Sequence, residues 1–469
     1  MKVYFINPPA IIQISREGRC MVRKSTWTFT LPPISLAYCA AILREERFEV
    51  KIIDCIAEGI NQLVLKEKIK QYNPDIIILN TATPSIVNDI KIVDDIKETN
   101  PLVKVGVIGI HPSSLPDETF SLSKGLDYII RGEPEITIKD LALALDNNQS
   151  LSKVEGISYR IGEKIFHNSS RELIKDLDSL PFPAWDLINI NNYKIPFTNN
   201  PFLLILPARG CPYKCIFCNA KIYYGDKVRL RSPRKVVDEI EWAKTNFKVE
   251  DFHFWTESLT IQKKFILGIV DEILKRNLKL RWTCNSRVDN IDLELLEKMK
   301  KAGCWMIGFG IESGDQIILD NAKKGITLEQ SKNAVKLAQK AGLEVSIQCI
   351  IGLPGETKKT ALKTISFAKS LNADYAQFYC AVPFPGSDLY QTAKEKRWLS
   401  TNEWFKFDQS QSVLNLENFK AEEAMQLRRK AYFRYYINPK QIFRTLKKIK
   451  NVTELKDFLY MIKHFLSWI

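Results

Sequence analysis

Long apolar runs and secretion signals are the first features that the sequence lacks. No stretch of about 18 apolar residues occurs in the 469-residue chain, so we expect no membrane span. The first seven residues lead directly into a strand-like run, without the long apolar region and cleavage site of a signal peptide. The ten cysteines lack regular framework spacing, which argues for a reducing cytoplasm where thiols remain available for metal.

Motifs of two further protein classes are also missing. No Gly-x-Gly-x-x-Gly fingerprint follows the first strand-like run, which disfavours a nicotinamide-dinucleotide domain. The chain has 68 basic and 54 acidic residues, a net charge of +14, but it shows no recognisable nucleic-acid module. We therefore expect no nucleic-acid partner. A basic balance also suits an anionic membrane surface or acidic cofactors.

The length of the chain exceeds that of one ordinary hydrophobic core, so we predict two or three domains. Hydrophobic residues make up 45% and charged residues 26%, as in ordinary soluble globular proteins. The predicted divisions are an N-terminal domain over 1–150, a connector with a hairpin and a proline-rich crossing over 151–200, a central domain over 201–410, and a basic helical extension over 411–469.

Strands and helices alternate through the first 150 residues. This alternation indicates a parallel, doubly wound α/β sheet of Rossmann-like type. Ligands of such sheets bind beyond the carboxyl ends of the strands, where this sequence is rich in small and turn-forming residues. The strands are predicted at 3–6, 50–53, 75–79, 103–108 and 128–130, and the helices at 34–46, 62–71, 86–98 and 134–145.

Three cysteines, Cys211, Cys215 and Cys218, lie on one short loop that follows an apolar, strand-like run. Gly210 and Pro212 turn the chain into this loop. Thiolates are the usual ligands of iron–sulfur clusters, and close spacing lets several of them reach one cluster. Three ligands leave one iron of a four-iron cluster open, and an open iron can chelate a small molecule.

Two other interpretations of the three cysteines compete with a cluster. A closed structural zinc site needs four ligands, and no nearby histidine or fourth cysteine supplies the last one. Unrelated buried thiols are the second alternative, since free cysteine is often a core residue. Three cysteines within eight positions, beside glycine and proline at a strand end, favour a metal cluster.

The Cys-x3-Cys-x2-Cys spacing, with Phe217 before the last cysteine, resembles the radical S-adenosylmethionine (SAM) superfamily. The resemblance implies a central partial (β/α)6 barrel of the TIM type. It also implies a catalytic [4Fe–4S] cluster on Cys211, Cys215 and Cys218, whose open iron binds the amino and carboxylate groups of SAM. One electron from the cluster would then cleave SAM to a 5′-deoxyadenosyl radical, with flavodoxin or ferredoxin as the implied electron donor.

Later stretches at predicted strand ends resemble the SAM contacts of that superfamily. Glu257 is assigned to the SAM amino group, with an exposed helix-start acid as the alternative. Asn285 and Arg287 resemble residues near the ribose and carboxylate. Glu312 would bind a ribose hydroxyl or brace Arg287, and the alternative for these two residues is a salt bridge between them inside the barrel. The implied SAM contacts are Phe217, Glu257, Asn285, Arg287, Glu312, Ile350 and Gly352, the last two under the adenine.

The first domain resembles the cobalamin-binding domain that precedes the cluster domain in one branch of the superfamily. The similarity lies in Asn7-Pro8-Pro9, in the small hydroxylated residues after the third strand, and in an Arg-Gly-Glu-Pro-Glu stretch. An empty Rossmann-like fold, or one with another cofactor, is the alternative. The implied cobalamin contacts are Asp54, Thr81, Thr83, Ser85, Gly109, Gly132 and Glu133.

One position departs from cobalamin domains of the methionine-synthase type, which carry Asp-x-His-x-x-Gly with a cobalt-ligating histidine. Asp54 and Gly59 are kept here, but Ile56 stands at the histidine position. We therefore expect no imidazole ligand from this stretch. His111 is the one histidine within residues 1–150, and we interpret it as a turn residue that caps a strand end. The lower axial ligand of the cobalt would then be water or another side chain, or the lower face would carry no ligand.

The C-terminal stretch from about residue 422 is predicted to be helical and basic, with a break at Asn438-Pro439. From Lys440 onward there are seven Lys or Arg and two Asp or Glu, and apolar residues after Asn451 follow the spacing of one helix face. Such a helix can contact an anionic membrane surface, which would make the protein membrane-associated. Packing on its own barrel is the favoured alternative.

Together these resemblances predict a cobalamin-dependent radical SAM enzyme that methylates an unactivated carbon of a small, hydrophobic substrate. The similar group includes C- and P-methyltransferases, hopanoid-lipid enzymes and the anaerobic cyclase of chlorophyll synthesis. A first alternative keeps the cofactors but yields cyclisation, ring contraction or oxidation without methyl transfer. A second alternative is a non-catalytic cobalamin or iron–sulfur sensor.

Overall fold

Two β-sheets, each flanked by helices, organise the chain. The computed structural model describes residues 1–10, 15–17, 30–195 and 198–448. Within these ranges a seven-stranded sheet lies in the N-terminal third and a six-stranded sheet follows it. None of the helices in this part of the chain is both long enough and apolar enough to cross a membrane.

Short runs rich in isoleucine and valine form the first sheet. The strand Ile76–Asn80 is typical, because all five of its residues are buried, as expected for a parallel strand with helices on both faces. The strands are β1 (Lys2–Asn7), β2 (Glu49–Asp54), β3 (Ile76–Asn80), β4 (Lys104–Ile108), β5 (Tyr128–Ile130), β6 (Ile157–Ile161) and β7 (Lys164–His167). The helices are α1 (Ile34–Glu45), α2 (Gln62–Tyr72), α3 (Ile86–Thr99), α4 (Ile110–Ser114), α5 (Pro116–Ser121) and α6 (Pro134–Asp146).

The strand order of the first sheet is β2-β1-β3-β4-β5-β6-β7, and β1 to β5 are parallel. In sheets of this order the connections change direction between β1 and β3, and ligands bind at that point. The predicted parallel, doubly wound sheet is confirmed. The ends of β1 and β3 mark where a ligand of this domain would lie.

The hairpin of β6 and β7 extends the first sheet, although the sequence analysis places it in a connector over 151–200. Strand β6 pairs antiparallel with β5, and β7 pairs antiparallel with β6. The edge of β5 carries main-chain groups that need partners, and the hairpin supplies them. Local turn signals predict a hairpin but do not show which sheet it joins.

The second sheet contains six parallel strands in the order β15-β14-β13-β12-β11-β8. Because β8 and β15 are its two edges, the strand–helix repeats form a partial barrel, and the predicted (β/α)6 barrel is confirmed. The strands are β8 (Phe202–Ile205), β11 (Asp251–Phe254), β12 (Arg281–Ser286), β13 (Cys304–Glu312), β14 (Glu344–Ile351) and β15 (Tyr375–Cys380). A two-stranded ribbon lies between β8 and β11 and consists of β9 (Ala208–Arg209) and β10 (Arg229–Leu230).

Side-chain caps begin several of the barrel helices. Ser232, Asp292, Thr327 and Thr357 each accept a hydrogen bond from a main-chain N–H of the first helical turn, which would otherwise have no partner. The helices are α7 (Ala220–Tyr224), α8 (Pro233–Phe247), α9 (Lys263–Lys275), α10 (Leu293–Lys301), α11 (Gln316–Asn321), α12 (Leu328–Lys340), α13 (Lys358–Leu371) and α14 (Asp388–Glu395).

Two C-terminal helices follow the barrel, α15 (Ala421–Tyr436) and α16 (Pro439–Lys448). Helix α15 covers the exposed edge of β15 and binds its main chain. Tyr432 Oη accepts a hydrogen bond from Phe378 N at 3.1 Å, and Arg428 Nε donates to Phe378 O at 2.9 Å. The helical extension and its break before Pro439 are therefore confirmed. The amphipathic helix predicted after Asn451 lies outside the described residues, and its membrane contact stays a prediction.

Leu204 provides a test of the barrel core, because its side chain is fully buried in β8. We expect Leu204→Ala to lower the free energy of unfolding by about 2–5 kcal/mol, through lost apolar burial and a residual cavity. Leu63→Ala, on helix α2 with 73% of the residue exposed, is the matched control and should change it by less than about 0.5 kcal/mol. Urea unfolding of the two variants measures the difference, and equal effects would contradict this core assignment.

Candidate active site

One cavity of about 850 Å³ joins the carboxyl ends of the two sheets. Its first-domain wall includes residues just beyond β3 and β4, and its second-domain wall includes the cysteine loop and the interior of the barrel. Both sheet types bind ligands at the carboxyl ends of their strands. The described structure therefore brings strand ends of both domains to one cavity.

The cysteine loop leaves the barrel through a tight turn at Gly210, whose φ is +91°. A Cβ atom at this position would lie 2.1 Å from the Lys227 carbonyl oxygen and 3.0 Å from the Tyr224 carbonyl oxygen. Cys211 N then donates a hydrogen bond to Gly225 O at 3.3 Å. Only glycine fits this close approach of two chain segments, so the start of the loop is fixed by sterics.

Cys211, Cys215 and Cys218 are all partly exposed and line the cavity. Burial raises the pKa of the Cys215 thiol, while the nearby Lys324 ammonium acts in the opposite direction. Among the described residues, no three His, Cys, Asp or Glu side chains are placed to hold a single metal ion. An iron–sulfur cluster is wider than one ion and binds each thiolate at a different corner, so three cysteines on one loop fit a cluster.

Arg287 lies against the cysteine loop. Its guanidinium carbon is 3.5 Å from the ring centroid of Tyr213, which stands between the first two cysteines. Its Nε and Nη2 donate to the two carboxylate oxygens of Asp289 at 3.0 and 2.8 Å. Asp289 thus holds the Nε–Nη2 edge of the guanidinium and takes the bracing role that the sequence analysis offered to Glu312.

Glu312 pairs instead with Lys324, whose Nζ lies 2.6 Å from Glu312 Oε1, and both side chains are 8% exposed. The alternative that the sequence analysis left open, a salt bridge between Glu312 and Arg287, is not the pairing found among the described residues, where the partner of Glu312 is Lys324. Glu312 has a φ of +61°, which turns the end of β13. A Cβ at Gly310 would lie 2.4 Å from Glu312 Oε1, so this glycine makes room for the pair.

Asn285 lines the barrel interior beside Gly308 and Gln348. A Cβ at Gly308 would lie 2.2 Å from Asn285 Oδ1, which explains why glycine is needed here. Deeper in the barrel, the His253 ring is 2.7 Å from Thr283 Oγ1, and burial lowers the pKa of His253 to about 4. The inner wall therefore presents uncharged hydrogen-bonding groups at neutral pH.

The other predicted SAM residues divide into two groups. Phe217, Glu257 and Ile350 line the cavity, together with the residues described above. Gly352 does not line the cavity, and its main-chain N–H donates to Glu356 Oε2. The Gly352 amide is therefore engaged in folding its own loop.

The first-domain wall contains two of the seven predicted cobalamin residues, Thr81 and Gly109. Thr81 Oγ1 donates to Ile108 O at 2.7 Å. Beside them lies Glu17, which accepts hydrogen bonds from Ser35 Oγ at 2.8 Å and Asn80 Nδ2 at 3.1 Å. Burial raises the pKa of Glu17 to about 7, so this carboxyl group titrates near neutrality at the cavity wall.

Three more of the predicted cobalamin residues are not among those that line the cavity. Asp54 accepts hydrogen bonds from Tyr193 Oη at 3.0 Å and from the amide of the turn residue Ile56 at 3.1 Å. Ser85 Oγ donates to the buried carboxylate of Asp89 at 2.6 Å. Thr83 is fully buried, and its hydroxyl has no hydrogen-bond partner among the described residues.

Gly132 and Glu133, the remaining two, also lie away from the cavity. The main-chain N–H of Gly132 donates to Ser113 Oγ at 3.1 Å. The carboxylate of Glu133 binds Arg209 and Arg229 in the second domain. His111, interpreted as a turn residue, is instead fully buried on α4 with its ring against Trp404, and burial lowers its pKa to about 3.

Several cavity residues lacked a sequence motif that would identify them. Glu17 and Asn80 are joined by a hydrogen bond although 63 residues separate them in the chain. Lys324 is one of two consecutive lysines with no distinguishing feature. Arg209 was detectable in principle, because it directly precedes the glycine that begins the cysteine loop.

Comparison with known proteins places both halves of the chain in described families. The profile of the radical SAM superfamily matches residues 205–368, and that of the B12 binding domain matches residues 22–142. An uncharacterized methyltransferase of Pyrococcus horikoshii is 34% identical over 459 residues, which are 98% of this chain and 96% of the relative. An anaerobic magnesium-protoporphyrin IX monomethyl ester cyclase of Rubrivivax gelatinosus is 32% identical over 372 residues, 78% of this chain and 67% of that protein.

Among solved structures, the radical SAM methyltransferase TsrM from Kitasatospora setae, with cobalamin and a [4Fe–4S] cluster bound, has a TM-score of 0.75. The match covers 99% of both chains at 17% sequence identity. At this identity the likeness shows that the two chains share a fold. The two-domain arrangement described above is thus that of a known fold.

The turn at Gly210 gives a test of the cysteine loop. We expect Gly210→Ala to reduce iron bound after anaerobic reconstitution to less than half of the wild-type value, because the new methyl group meets the Lys227 carbonyl oxygen. Gly162→Ala is the control, since Gly162 also has a positive φ, of +57°, but a Cβ there meets nothing within 4 Å. Iron analysis of both variants decides, and equal iron contents would refute the steric argument.

Glu356 gives a pH-dependent test of the loop at Gly352. Burial raises the pKa of Glu356 to about 8, so between about pH 4.5 and 8 the native state keeps a proton that the unfolded chain releases. This group therefore lowers the free energy of unfolding as pH rises, by at most about 1.4 kcal/mol per unit. Glu356→Gln removes this pH-dependent contribution. The free energy of unfolding of the variant, relative to that of wild type, should therefore increase as the pH rises from 5.5 to 8.5.

Denaturant unfolding at the two pH values measures this change. Glu329→Gln, at a side chain that is 80% exposed, is the control and should follow the wild-type pH dependence within about 0.5 kcal/mol. If the free energies of unfolding of wild type and Glu356→Gln change in parallel with pH, Glu356 is ionised in the native state and the prediction fails.

Proposed function

This chain belongs to the cobalamin-binding branch of the radical SAM superfamily, and on that premise we propose that it methylates an unactivated carbon of a small molecule. The observation that carries the proposal is the single cavity, which the cysteine loop and the strand ends of the first domain both line. A group supplied on one side of that cavity can reach a substrate activated on the other. The 34% identical relative is a methyltransferase by name, which supports the same reaction.

The cofactors are a [4Fe–4S] cluster, SAM and cobalamin. When bound, they supply a 5′-deoxyadenosyl radical on the barrel side of the cavity and a transferable methyl group on the first-domain side. Cys211, Cys215 and Cys218 would hold the cluster, because they lie together on the loop that lines the cavity. Thr81 and Gly109, which line the first-domain wall of the cavity, would contact the cobalamin from that side.

The residues of the barrel bind and orient rather than react. The Glu257 carboxylate suits the ammonium group of SAM, since a charge-assisted hydrogen bond is stronger than a neutral one. Asn285 and Gln348 offer amide groups to hydroxyls or to a base in the barrel interior. Glu312 and Lys324 neutralise each other at the wall, so neither leaves an uncompensated charge beside the cysteines.

Enclosure is the second contribution of the fold. Walls from both domains surround the cavity and limit the access of water to a reactive intermediate. The apolar part of the lining, which includes Trp255 and Trp305, suits a substrate with an apolar body. We propose that the reducing electron comes from a flavodoxin or a ferredoxin and that the enzyme works in the cytoplasm.

A second candidate reaction has a specific observation in its favour. The 32% identical relative is a cyclase by name, so cyclisation or oxidation without methyl transfer is possible on the same scaffold. The two outcomes differ in atoms: methyl transfer adds one carbon from SAM to the product, whereas cyclisation adds none. The mass of the product, and the fate of a labelled SAM methyl group, separate them.

The test begins with anaerobic purification in the presence of cobalamin, followed by analysis of iron, sulfide and cobalt. We expect about four irons and one cobalamin per chain, and 5′-deoxyadenosine from SAM only after reduction. Cys211→Ala, Cys215→Ala and Cys218→Ala should each abolish SAM cleavage by removing a cluster ligand. Cys304→Ala is the matched control, because Cys304 is buried and does not line the cavity.

Methyl transfer is then tested with SAM that carries an isotopically labelled methyl group. We expect label on the bound cobalamin and S-adenosylhomocysteine as a product. Deoxyadenosine without S-adenosylhomocysteine would favour the cyclase-type reaction and overturn the methyl-transfer proposal. Iron without bound cobalamin would also overturn it, and absence of both in folded protein would overturn the radical SAM assignment of the site.

A further inference from the structure

Four charged side chains from both domains meet in one buried group, which we call the interdomain charge cluster: Glu133, Glu135, Arg209 and Arg229. Arg209 Nη1 donates to Glu133 Oε1 at 3.1 Å, and its Nη2 donates to Glu135 Oε1 at 2.6 Å. Arg229 Nη1 and Nη2 donate to the two oxygens of Glu133 at 2.9 and 2.8 Å. Two positive and two negative formal charges therefore compensate one another.

The burial of this group makes each member depend on the others. The side chains of Arg209, Glu133 and Glu135 are 2–4% exposed, and that of Arg229 is 11% exposed. A buried ion whose partner is removed cannot recover its hydration. Buried ion pairs therefore constrain the positions of their members far more strongly than surface ion pairs do. The Arg209 guanidinium also lies 5.5 Å from the Tyr38 ring centroid and 5.2 Å from that of Tyr224.

The two arginines close the base of the cysteine loop. Arg209 and Arg229 face each other across the antiparallel ribbon of β9 and β10, and all three cysteines lie in the chain between them. Arg209 is followed directly by Gly210 and Cys211. Arg229 Nη2 also donates to Tyr224 O at 2.9 Å, which ties it to the end of the short helix α7 after the cysteines.

The two glutamates belong to the first domain, but they do not lie where its cofactor would bind. Neither carboxylate lines the cavity. Glu133 accepts four hydrogen bonds, one from Arg209, two from Arg229 and one from the main-chain N–H of Ile174 at 2.8 Å. A carboxylate has about four acceptor positions, so Glu133 has none left for an amide or hydroxyl of cobalamin.

We propose that Glu133 and Glu135 are positioning residues for the iron–sulfur cluster, and that Glu133 is not the cobalamin contact that the sequence resemblance implies. They hold Arg209 and Arg229 at the base of the cysteine loop and so fix the separation at which the three thiolates bind iron. The first domain thus contributes to the cluster site through charge rather than through a ligand. This inference rests on the cluster assigned under the proposed function.

The experiment compares cofactor contents of Glu133→Gln and Glu135→Gln with those of wild type. Both substitutions keep the side-chain shape and remove the negative charge that compensates the arginines. The matched control is Asp186→Asn, which breaks the exposed Arg44–Asp186 ion pair, with side chains that are 39% and 47% exposed. Each protein is purified anaerobically with cobalamin supplied, reconstituted with iron and sulfide, and checked for folding by circular dichroism.

Two readouts distinguish a role at the cluster from a role at cobalamin. Iron content and the electron paramagnetic resonance spectrum of the reduced cluster, with and without SAM, report on the cluster. The absorbance spectrum of the protein reports on bound cobalamin. We expect both glutamine variants to bind cobalamin within twofold of wild type, to retain at most half of the iron, and to show a smaller spectral change on addition of SAM. Asp186→Asn should match wild type in every readout.

The decisive quantity is the iron-to-cobalamin ratio relative to wild type. An unchanged ratio, or loss of cobalamin with the cluster intact, overturns the proposal. Should the glutamine variants fail to fold, Glu135→Asp and Arg209→Lys keep the charges but alter the hydrogen-bond geometry, and the same ratio applies. If wild type binds iron without cobalamin, the proposed methyl transfer fails, and the iron content of the variants against Asp186→Asn alone decides the role of the glutamates.

Discussion

The common direction of parallel strands is the constraint on which this molecule depends. Every strand of a parallel sheet ends at the same edge, so loops that are distant in sequence converge there. In this chain the edge at β1 and β3 and the edge of the barrel face one cavity. Thr81 and Asn80 therefore lie opposite a cysteine loop that begins 130 residues later in the chain. The chemistry assigned to the protein requires that meeting, because a radical site and a methyl source must reach the same carbon.

Ion pairing then fixes the positions of charged side chains that the two sheets bring close together. Arg287 is held by Asp289 and packs on Tyr213, Glu312 is neutralised by Lys324, and the interdomain charge cluster lies at the base of the cysteine loop. Each of these groups is nearly buried, so an unpaired member would cost several kcal/mol. Uncharged amides and a neutral histidine line the space between them. The charges of Arg287 and Glu312 at the cavity wall are thus each compensated by a partner side chain.

Two residues of the predicted sites, Glu133 and Gly352, have partners in the structure that their motifs did not indicate, and the reason is the same for both. Glu133 was grouped with cobalamin contacts because its motif lies after a strand end of the first domain, where ligands of such folds bind. In the structure its carboxylate turns to arginines 76 and 96 residues away. Gly352 was placed under adenine, yet its amide binds Glu356 within its own loop. A motif records which residue types occur together, whereas a side chain's partner depends on which element packs beside it.

The local chemistry and the succession of elements follow from the amino-acid sequence alone. Apolar runs of β-branched residues specified the strands, and three cysteines beside Gly210 specified a cluster loop, since burial patterns and turn sterics act over a few residues. The packing of distant elements places the β6–β7 hairpin in the first sheet, puts Glu17 at the cavity wall, and pairs two first-domain glutamates with Arg209 before the cysteine loop. These facts depend on contacts between residues 27 to 96 positions apart in the chain, and no local pattern encodes which distant groups will be neighbours.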